Sequence, residues 1–339
     1  RVYEDPEIYN PLTGWSKMAN PQQATQPFED VYPGSHVIPY GSHKGKIFYT
    51  IPMFQAYAFN PFPPQNQNYW TTIGSPRTID RHGGNSILLP LLPGLTSAKV
   101  LITCGGYTAN NTAEIINLAD SLPNWSSVQN MFIARHNANA IILPDDRVLI
   151  IGGNKIDRHE DPVFTPEAFD PATGLWTLLP AMNIFRSYHS VAVLLPDGRV
   201  WLSGTTDPPG ITNWQHNIEL YYPGYMFEGD RPLITSCPAN ISYGSQFSII
   251  TNLPIATIRL IRFGSMTHST DTDQRSVGLS FTQGPVNSGY TWNVTTPADG
   301  DIAPPGLYML FVLRAKNQSL SGQTAIPSVA KIVRLTSPF

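Results

Sequence analysis

The stretch Ile141-Ile-Leu-Pro-Asp-Asp-Arg-Val-Leu-Ile-Ile-Gly-Gly153 decides the fold, because the chain repeats it. It recurs as Val193-Leu-Leu-Pro-Asp-Gly-Arg-Val-Trp-Leu-Ser-Gly204, 51 to 52 residues later. Each copy reads as an apolar strand, a turn and a second apolar strand. Two looser copies come earlier in the chain: Ser86–Leu91 with Lys99–Gly106, and Val37–Pro39 with Gly45–Thr50.

A third apolar element completes each repeat, and most of these elements run on to a Gly/Pro turn and a tryptophan. A unit of about fifty residues in this order is typical of a kelch-type propeller blade. Such a blade is a four-stranded antiparallel sheet that buries its faces by packing against neighbouring blades. The third elements are Glu7–Pro11, Ala56–Pro61, Glu114–Asn117, Glu167–Pro171 and Glu219–Pro223, and the tryptophans are Trp15, Trp70, Trp125 and Trp176.

The repeat count predicts four blades and the tail of a fifth, because five third elements stand beside four strand-turn-strand openings. We therefore expect that a segment before Arg1 is missing. The period stops after Tyr225, and short alternating strands from Asp230 onward predict a β-sandwich. The chain is thus predicted to be all-β, with a kelch-type propeller segment over residues 1–229 and a C-terminal sandwich over residues 230–339. The predicted sandwich strands are Phe247–Thr251, Ile258–Phe263, Val277–Phe281, Tyr290–Val294, Tyr308–Leu313 and Val329–Leu335.

Composition excludes several classes of protein. Only 13% of the 339 residues are charged and the net charge is −3, which argues against a nucleic-acid partner. Two cysteines are too few for a disulfide scaffold or a Cys-rich zinc module, and no apolar stretch is long enough to predict a membrane span. The chain opens without Met or signal-peptide features, which indicates a processed or partial chain. Few thiols and five Asn-x-Ser/Thr sequons favour secretion; they stand at Asn110, Asn124, Asn240, Asn293 and Asn317.

Two segments carry candidate metal ligands: Arg186-Ser-Tyr-His-Ser190, and Thr267-His-Ser-Thr-Asp-Thr-Asp-Gln-Arg275. Imidazole nitrogen and phenolate oxygen together suit copper. Against this, neighbouring residues in a strand point to opposite faces, and a polar pair such as Arg135-His136 at the matching place of another blade can simply tie blades together. His268 can likewise be a loop histidine held by Thr and Asp side chains. From the residues alone both interpretations stay open.

The chain resembles the copper radical oxidases, the group of galactose oxidase and glyoxal oxidase. The motif RSYHS…LLPDGRV closes the propeller, and RPLITSCPANISYGSQFSI, THSTDTDQR and PPGLYMLFVL…PSVAKIVRL follow in the sandwich. The middle of the chain, GGNSILLPL…VLITCGG…RHNANAIILPDDRVLIIGG, is more similar to the glyoxal oxidase branch. The resemblance covers essentially the whole chain. It implies a propeller that would have seven blades in the family and an immunoglobulin-like early set domain.

The resemblance also implies roles for individual residues. Tyr188 matches the axial copper ligand and catalytic base, and His189 and His268 match the two equatorial histidines. The family's fourth ligand is a tyrosine cross-linked to a cysteine, which the resemblance places before Arg1. Neither Cys104 nor Cys237 matches that cysteine, so a Tyr–Cys radical is expected only if a missing N-terminal segment or companion chain supplies it. Cys104 is expected to be a buried structural thiol or a disulfide partner of that segment.

The implied function is that of an extracellular copper oxidase. It would oxidise a small aldehyde, primary alcohol or carbohydrate with O₂ and release H₂O₂, in the cell wall or extracellular matrix. The alternative from another class is a non-catalytic secreted propeller, structural or glycan-binding, that retains the fold and some ligand residues. The residues upstream of Arg1 would discriminate the two, since a cysteine and an Arg-x-Tyr-Pro-type strand favour the oxidase. An intracellular kelch adaptor is disfavoured by the sandwich and the sequons.

Overall fold

A computed structural model describes residues 7–18, 32–50, 54–64, 67–156, 161–205, 216–286, 289–315 and 325–336. Regular structure in these ranges is β-strand apart from one 3₁₀ helix, Gly224–Phe227. Within the same ranges no helix has the length and apolar character to cross a membrane. The sequon at Asn317 lies outside the described residues.

The first part of the chain forms five antiparallel sheets in chain order, each a simple meander. Their strands are β1 (Glu7–Asn10) and β2 (Gly14–Lys17); β3 (Gly34–Val37), β4 (Ile47–Thr50), β5 (Ala56–Phe59) and β6 (Trp70–Ile73); β7 (Asn85–Leu88), β8 (Lys99–Thr103), β9 (Ala113–Asn117) and β10 (Trp125–Ser127); β11 (His136–Ile142), β12 (Val148–Asn154), β13 (Glu167–Asp170) and β14 (Leu175–Leu178); and β15 (Val191–Leu194), β16 (Val200–Ser203) and β17 (Ile218–Tyr221).

These sheets confirm the repeat. The four strand-turn-strand copies are the pairs β3–β4, β7–β8, β11–β12 and β15–β16, and the four tryptophans lie in β2, β6, β10 and β14. In chain order the four repeats are called blades a to d. Blade d has three strands in the described part of the chain, because Pro223 leads from β17 into the 3₁₀ helix and not into a Trp-containing strand.

The first strands of consecutive blades contact one another, so β3, β7, β11 and β15 are the inner strands of a propeller. An arginine precedes three of these strands, β7, β11 and β15, and backbone carbonyls of two of these arginines link neighbouring blades. Arg135 forms a buried ion pair of 2.6 Å with Glu167 of its own blade, and its carbonyl accepts a 2.9 Å hydrogen bond from the Gly105 N–H of the preceding blade. Gly153 repeats this bond to Arg186 at 2.7 Å. The link between blades at these positions is thus a backbone hydrogen bond, while the Arg135 side chain holds its own blade.

The second part of the chain forms a sandwich of two sheets. One has the order β18-β20-β26-β25 and the other β19-β29-β27-β21-β24, with β28 beside β27 and a separate hairpin β22–β23. The strands are β18 (Ile234–Ser236), β19 (Asn240–Ser242), β20 (Gln246–Thr251), β21 (Thr257–Arg262), β22 (Met266–Thr267), β23 (Thr270–Asp271), β24 (Ser276–Gly278), β25 (Phe281–Val286), β26 (Tyr290–Thr295), β27 (Gly306–Arg314), β28 (Ile326–Pro327) and β29 (Lys331–Thr336).

The prediction of a single strand over Val277–Phe281 is wrong, because the chain passes there from one sheet to the other. The Leu279 N–H still donates to the Ile258 carbonyl of β21 (3.1 Å), whereas the Ser280 carbonyl already accepts from the Thr295 N–H at the end of β26 (2.9 Å). The last strand begins at Lys331 and not at Val329, since the Ala330 N–H donates to the Pro196 carbonyl of blade d (2.8 Å).

Two apolar clusters matter for the position of the site. One is the sandwich core, in which Ile258, Leu310 and Trp292 are buried. The other combines Leu149 and Leu202 of the propeller with residues of β27, so the sandwich is packed directly on blades c and d. Burial of this shared apolar surface fixes the sandwich against the propeller.

Candidate metal centre

A loop of the sandwich, residues 265–276 and here called the finger, carries His268 to the propeller. Its hairpin pairs Thr267 with Thr270, which leaves His268 and Ser269 as a two-residue turn. Both have positive φ, 49° and 64°, as the primed hairpin turns require and as Asn-Gly usually provides. Because a non-glycine residue there is strained, the surrounding structure has to hold the turn.

Asp271 holds the base of the finger. Its Oδ1 accepts hydrogen bonds from the Ser265 N–H (2.9 Å) and the Asp273 N–H (3.0 Å). Burial raises the pKa of the Asp271 carboxyl, and these N–H donors oppose that rise. Arg262 Nε donates to Asp273 Oδ1 at 2.6 Å. The acidic residues of the THSTDTDQR motif therefore shape the backbone around His268.

The next residues of the finger dock along the inner strands. The Gln274 side chain accepts from the Ile142 N–H and donates to the Ala140 carbonyl of β11 (3.2 Å). Arg275 Nη2 donates to the Val37 carbonyl of β3 at 2.9 Å. Because β3 and β11 belong to different blades, these bonds fix the finger at the propeller axis.

In each of the four blades one residue near the start of the inner strand has a left-handed φ, and this residue is here called the corner of the blade. Tyr32, Gly83, Asn137 and His189 have φ values of 58°, 62°, 55° and 62°. The first two strands of each blade are joined by a turn, and one backbone N–H donates across that turn. In every blade the corner lies six residues before the residue that carries this N–H. Two of the four corners, those of blades a and d, carry an aromatic side chain. The turn-closing residues are Ile38, Leu89, Leu143 and Leu195.

Four rings meet where the finger reaches these corners. Tyr32 stacks on His268 with ring centroids 3.7 Å apart and planes within 9° of parallel, and Tyr188 stacks on His189 at 3.9 Å. The rings of Tyr188 and His268 lie edge to face at 5.6 Å. Tyr188 and His268 are half-buried and His189 is exposed, so the cluster opens to solvent at the propeller mouth.

The two imidazoles face each other through Nε2, and these nitrogens are 2.9 Å apart. Two imidazole nitrogens bound at right angles to one ion, at the usual metal–nitrogen distance of about 2.0–2.1 Å, would be about 2.8–3.0 Å apart. The second nitrogen of His268, Nδ1, lies 2.7 Å from Thr267 Oγ1. That contact would keep the Nδ1 proton in place and leave Nε2 free to bind a cation.

The electrostatics of the cluster disfavour extra charge unless a cation is present. Burial and then the nearby Tyr32 phenol raise the pKa of Tyr188. Burial and then His189 lower the pKa of His268, which keeps its lone pair available. Among the described residues no three His, Cys, Asp or Glu side chains gather as a metal site, so a metal here would depend on imidazole and phenol ligands.

The structure brings together all three residues predicted as ligands, Tyr188, His189 and His268. It also brings in the ring of Tyr32, which the sequence analysis did not single out because it places the family's cross-linked tyrosine before Arg1. The signal was the repeat itself: Tyr32-Pro33 stands at the same distance before its turn as His189 does before its own. Alignment of the blades by that turn would have found it.

The cysteines lie elsewhere. Cys104 is a free, fully buried thiol in the apolar cluster between blades b and c, where burial raises its pKa to about 11. Cys237 is free and packs against the sandwich core. The expectation that Cys104 is a buried thiol agrees with this position.

Two family models match the chain. The glyoxal oxidase N-terminus matches residues 67–224, and the galactose oxidase-like early set domain matches residues 231–335. A propeller joined to an early set domain that sends a histidine into its mouth defines the class of protein. Both parts of the chain are therefore similar to the group of glyoxal oxidase and galactose oxidase.

Individual relatives agree. A galactose oxidase of Gibberella zeae is 28% identical over 97% of this chain and 50% of its own length. An aldehyde oxidase GLOX of Vitis pseudoreticulata is 28% identical over 91% of this chain and 62% of its own length. A fungal alcohol oxidase of the AA5 family, solved in complex with copper, superposes with a TM-score of 0.80 at 25% identity, over 97% of this chain and 70% of its own. The chain therefore spans about half the length of the galactose oxidase that it matches.

Proposed function

We propose that this chain carries the copper site of a secreted copper radical oxidase. The observation that carries the proposal is the contact of His189 and His268 through Nε2 at 2.9 Å, with one tyrosine ring stacked on each imidazole. Two imidazoles and phenols are a donor set that copper accepts. The structural relative solved with copper and the galactose oxidase relative support the same ion.

In this proposal His189 and His268 bind copper through Nε2, Tyr188 is the third ligand and Tyr32 is the fourth. The Tyr32 assignment departs from the sequence expectation and is based on its stacking against His268. The donors come from blade a, blade d and the finger, so the site exists only when propeller and sandwich are packed together. The two family domains would divide near residues 229 and 230.

Copper, when bound, supplies the change of oxidation state and the reaction with O₂. The residues of the chain manage the proton. Tyr188 Oη, as phenolate, accepts the proton of the substrate hydroxyl as general base. Its pKa is raised in the metal-free cluster, so the phenolate depends on the positive charge of the ion. The open side of the cluster at His189 is where a small substrate would enter.

The overall reaction is the two-electron oxidation of a primary alcohol or hydrated aldehyde. Two electrons and two protons pass from the substrate to O₂, which leaves as H₂O₂. A small aldehyde, alcohol or carbohydrate fits this chemistry. We propose further that a cysteine from outside these 339 residues forms the thioether with Tyr32, since Cys104 and Cys237 are packed elsewhere.

Secretion is also part of the proposal, with the cell wall or extracellular matrix as the destination. The sequon asparagines Asn124 and Asn240 are exposed, as glycan acceptors must be. Asn110 is not available in the same way, because its Oδ1 accepts from Arg81 (3.0 Å) and its Nδ2 donates to the Gly105 carbonyl (2.7 Å).

The test has two arms. The chain is loaded with Cu²⁺, and the copper content per chain is measured together with the nitrogen hyperfine pattern of the Cu(II) spectrum. We expect one copper per chain with two nitrogen ligands. A longer form of the protein that includes an upstream cysteine is then assayed for H₂O₂ with small aldehydes and primary alcohols. Absence of both bound copper and peroxide would leave the non-catalytic structural or glycan-binding alternative.

A further inference from the structure

Two buried asparagines stand at equivalent positions of consecutive blades, and each bonds to the residue that follows one of the two histidines. We propose that Asn85 and Asn139 are positioning residues that set the distance between His268 and His189. The proposal rests on the copper site proposed above for its catalytic meaning. The geometry on which it stands does not depend on the metal.

Asn85 lies at the start of β7 and is 1% exposed. Its Nδ2 donates to the Ser269 carbonyl at 2.7 Å and to the Ala138 carbonyl of β11 at 2.9 Å. Its Oδ1 lies 3.4 Å from the Cys104 thiol. One amide thus joins blade b, blade c and the turn of the finger.

Asn139 repeats this arrangement one blade later. It lies in β11, is also 1% exposed, and its Nδ2 donates to Ser190 Oγ at 2.9 Å. Ser190 directly follows His189 and is buried. Both asparagines are the fourth residue after the arginine of their blade, Arg81 or Arg135.

The hydrogen bonds of Asn85 and Asn139, here called the clamps, lie where the backbone is strained. His268, Ser269 and His189 all have left-handed φ, a region that non-glycine residues leave unless the surroundings hold them. A peptide carbonyl turns with the φ and ψ angles beside it, so the bond to the Ser269 carbonyl fixes the turn and with it the direction of the His268 ring. The Asn139 bond restrains the side chain of Ser190, the buried residue beside His189.

The chemistry at position 85 requires an amide. Two carbonyl oxygens converge on Nδ2 and consume both of its N–H bonds. An aspartate of the same shape would place a carboxylate oxygen against two carbonyl oxygens, with no proton between them. Asn85→Asp therefore removes the clamp without changing the packed volume.

The experiment compares Asn85→Asp with Asn111→Asp. Asn111 lies in the same blade and donates Nδ2 to the Met131 carbonyl (2.8 Å) and not to a residue of the finger. The first readout is hydrogen exchange of peptides spanning residues 266–273 in the metal-free chain. The second is Cu²⁺ affinity with the Cu(II) spectrum. We expect N85D to raise the finger exchange rate at least about tenfold and to weaken copper at least about tenfold, as supporting groups around metal ligands do. N111D should change neither.

A milder pair keeps the test decisive if N85D fails to fold. Asn85→Ser retains one short donor. It should raise the finger exchange rate and weaken Cu²⁺ binding by smaller factors than N85D does. Ser190→Ala removes only the acceptor of Asn139 and should alter the nitrogen hyperfine pattern while finger exchange stays as in the wild type. Finger exchange and copper binding that match the wild type in N85D and N85S would overturn the proposal. If wild-type chain binds no copper, the proposed function fails, and the exchange result alone decides whether Asn85 holds the turn.

Discussion

Blades c and d begin with the same corner and use it differently. Asn137 and His189 occupy equivalent left-handed positions, φ 55° and 62°. The residue before each corner is His136 in blade c and Tyr188 in blade d. His136 is 3% exposed and its Nε2 lies 2.9 Å from Asn154 Nδ2, whereas Tyr188 lies in the open ring cluster. A histidine in the repeat is therefore not by itself a sign of a metal site.

Two further features separate these blades. The arginine of blade d, Arg186, lies three residues before its corner, whereas Arg135 lies two before, so blade d has one residue more in this connection. The finger also reaches blade d with His268, 2.9 Å from His189. The repeat supplies a rigid backbone corner, and function depends on which residue occupies it and on what the second domain brings to it.

The largest expected effect is a loss of stability, and it comes from removing the buried ion pair of blade c while blade d is left unchanged. Glu167 and Arg135 are both fully buried at 2.6 Å, and Glu167 also accepts the N–H groups of Phe132 and Ile133. Glu219 lies 3.9 Å from Arg186 and its side chain is 17% exposed. Glu167→Gln should lower the free energy of unfolding by about 3 kcal/mol or more, as a broken buried pair does.

Glu219→Gln is the matched variant and should cost less, because Oε2 lies 3.9 Å from Arg186 Nε and makes no short ion pair. Urea titrations of both variants, followed by tryptophan fluorescence, measure the difference. Equal losses in the two blades would show that the arginine pairs contribute alike, and that blade d is no more loosely held than blade c.

The second prediction separates the two histidines of the comparison by function. His189→Ala or His268→Ala should weaken Cu²⁺ binding at least about 100-fold, since each removes a proposed ligand and supporting groups alone change affinity 10–100-fold. His136→Gln, which retains an amide beside Asn154, should stay within about twofold of the wild type, a difference of about 0.4 kcal/mol. Calorimetric titration with Cu²⁺ measures all three, and weakened binding in H136Q would place blade c in the site.

The sequence predicted the fold well because its signals are local. A fifty-residue period and a strand-turn-strand opening lie within each blade, blades a to c add a Trp strand, and all four repeats appear as sheets. It failed at Val277–Phe281, where alternation of apolar residues continues through a change of sheet. Val277 and Leu279 are buried and Phe281 packs against the same core, so the pattern does not record that the hydrogen-bond partner changes after Leu279.

The candidate site was predicted in part for the same reason. Tyr188, His189 and His268 stand in motifs that the family resemblance supplies, whereas Tyr32 and the two asparagine clamps act across the chain. Asn85 and Ser269 are 184 residues apart and meet only when the sandwich packs on the propeller. Short motifs hold no information on such contacts, whereas alignment of the blades points to Tyr32.

The smallest expected effect concerns a third histidine, which sharpens the contrast between buried and open positions. His36 lies in β3, its Nε2 is 2.8 Å from Ser86 Oγ, and burial, followed by Arg275, lowers its pKa to about 3. The unfolded chain protonates this imidazole near its ordinary pKa of 6.5, so stability is full above that pH and falls as the pH drops toward 3. The loss is about 1.4 kcal/mol per pH unit, or about 2 kcal/mol at pH 5. His36→Gln should flatten the dependence of unfolding free energy on pH between 7 and 5. If the slope persists in H36Q, the acid sensitivity belongs to another buried group, and the division between structural histidines inside the propeller and reactive ones at its mouth loses its thermodynamic support.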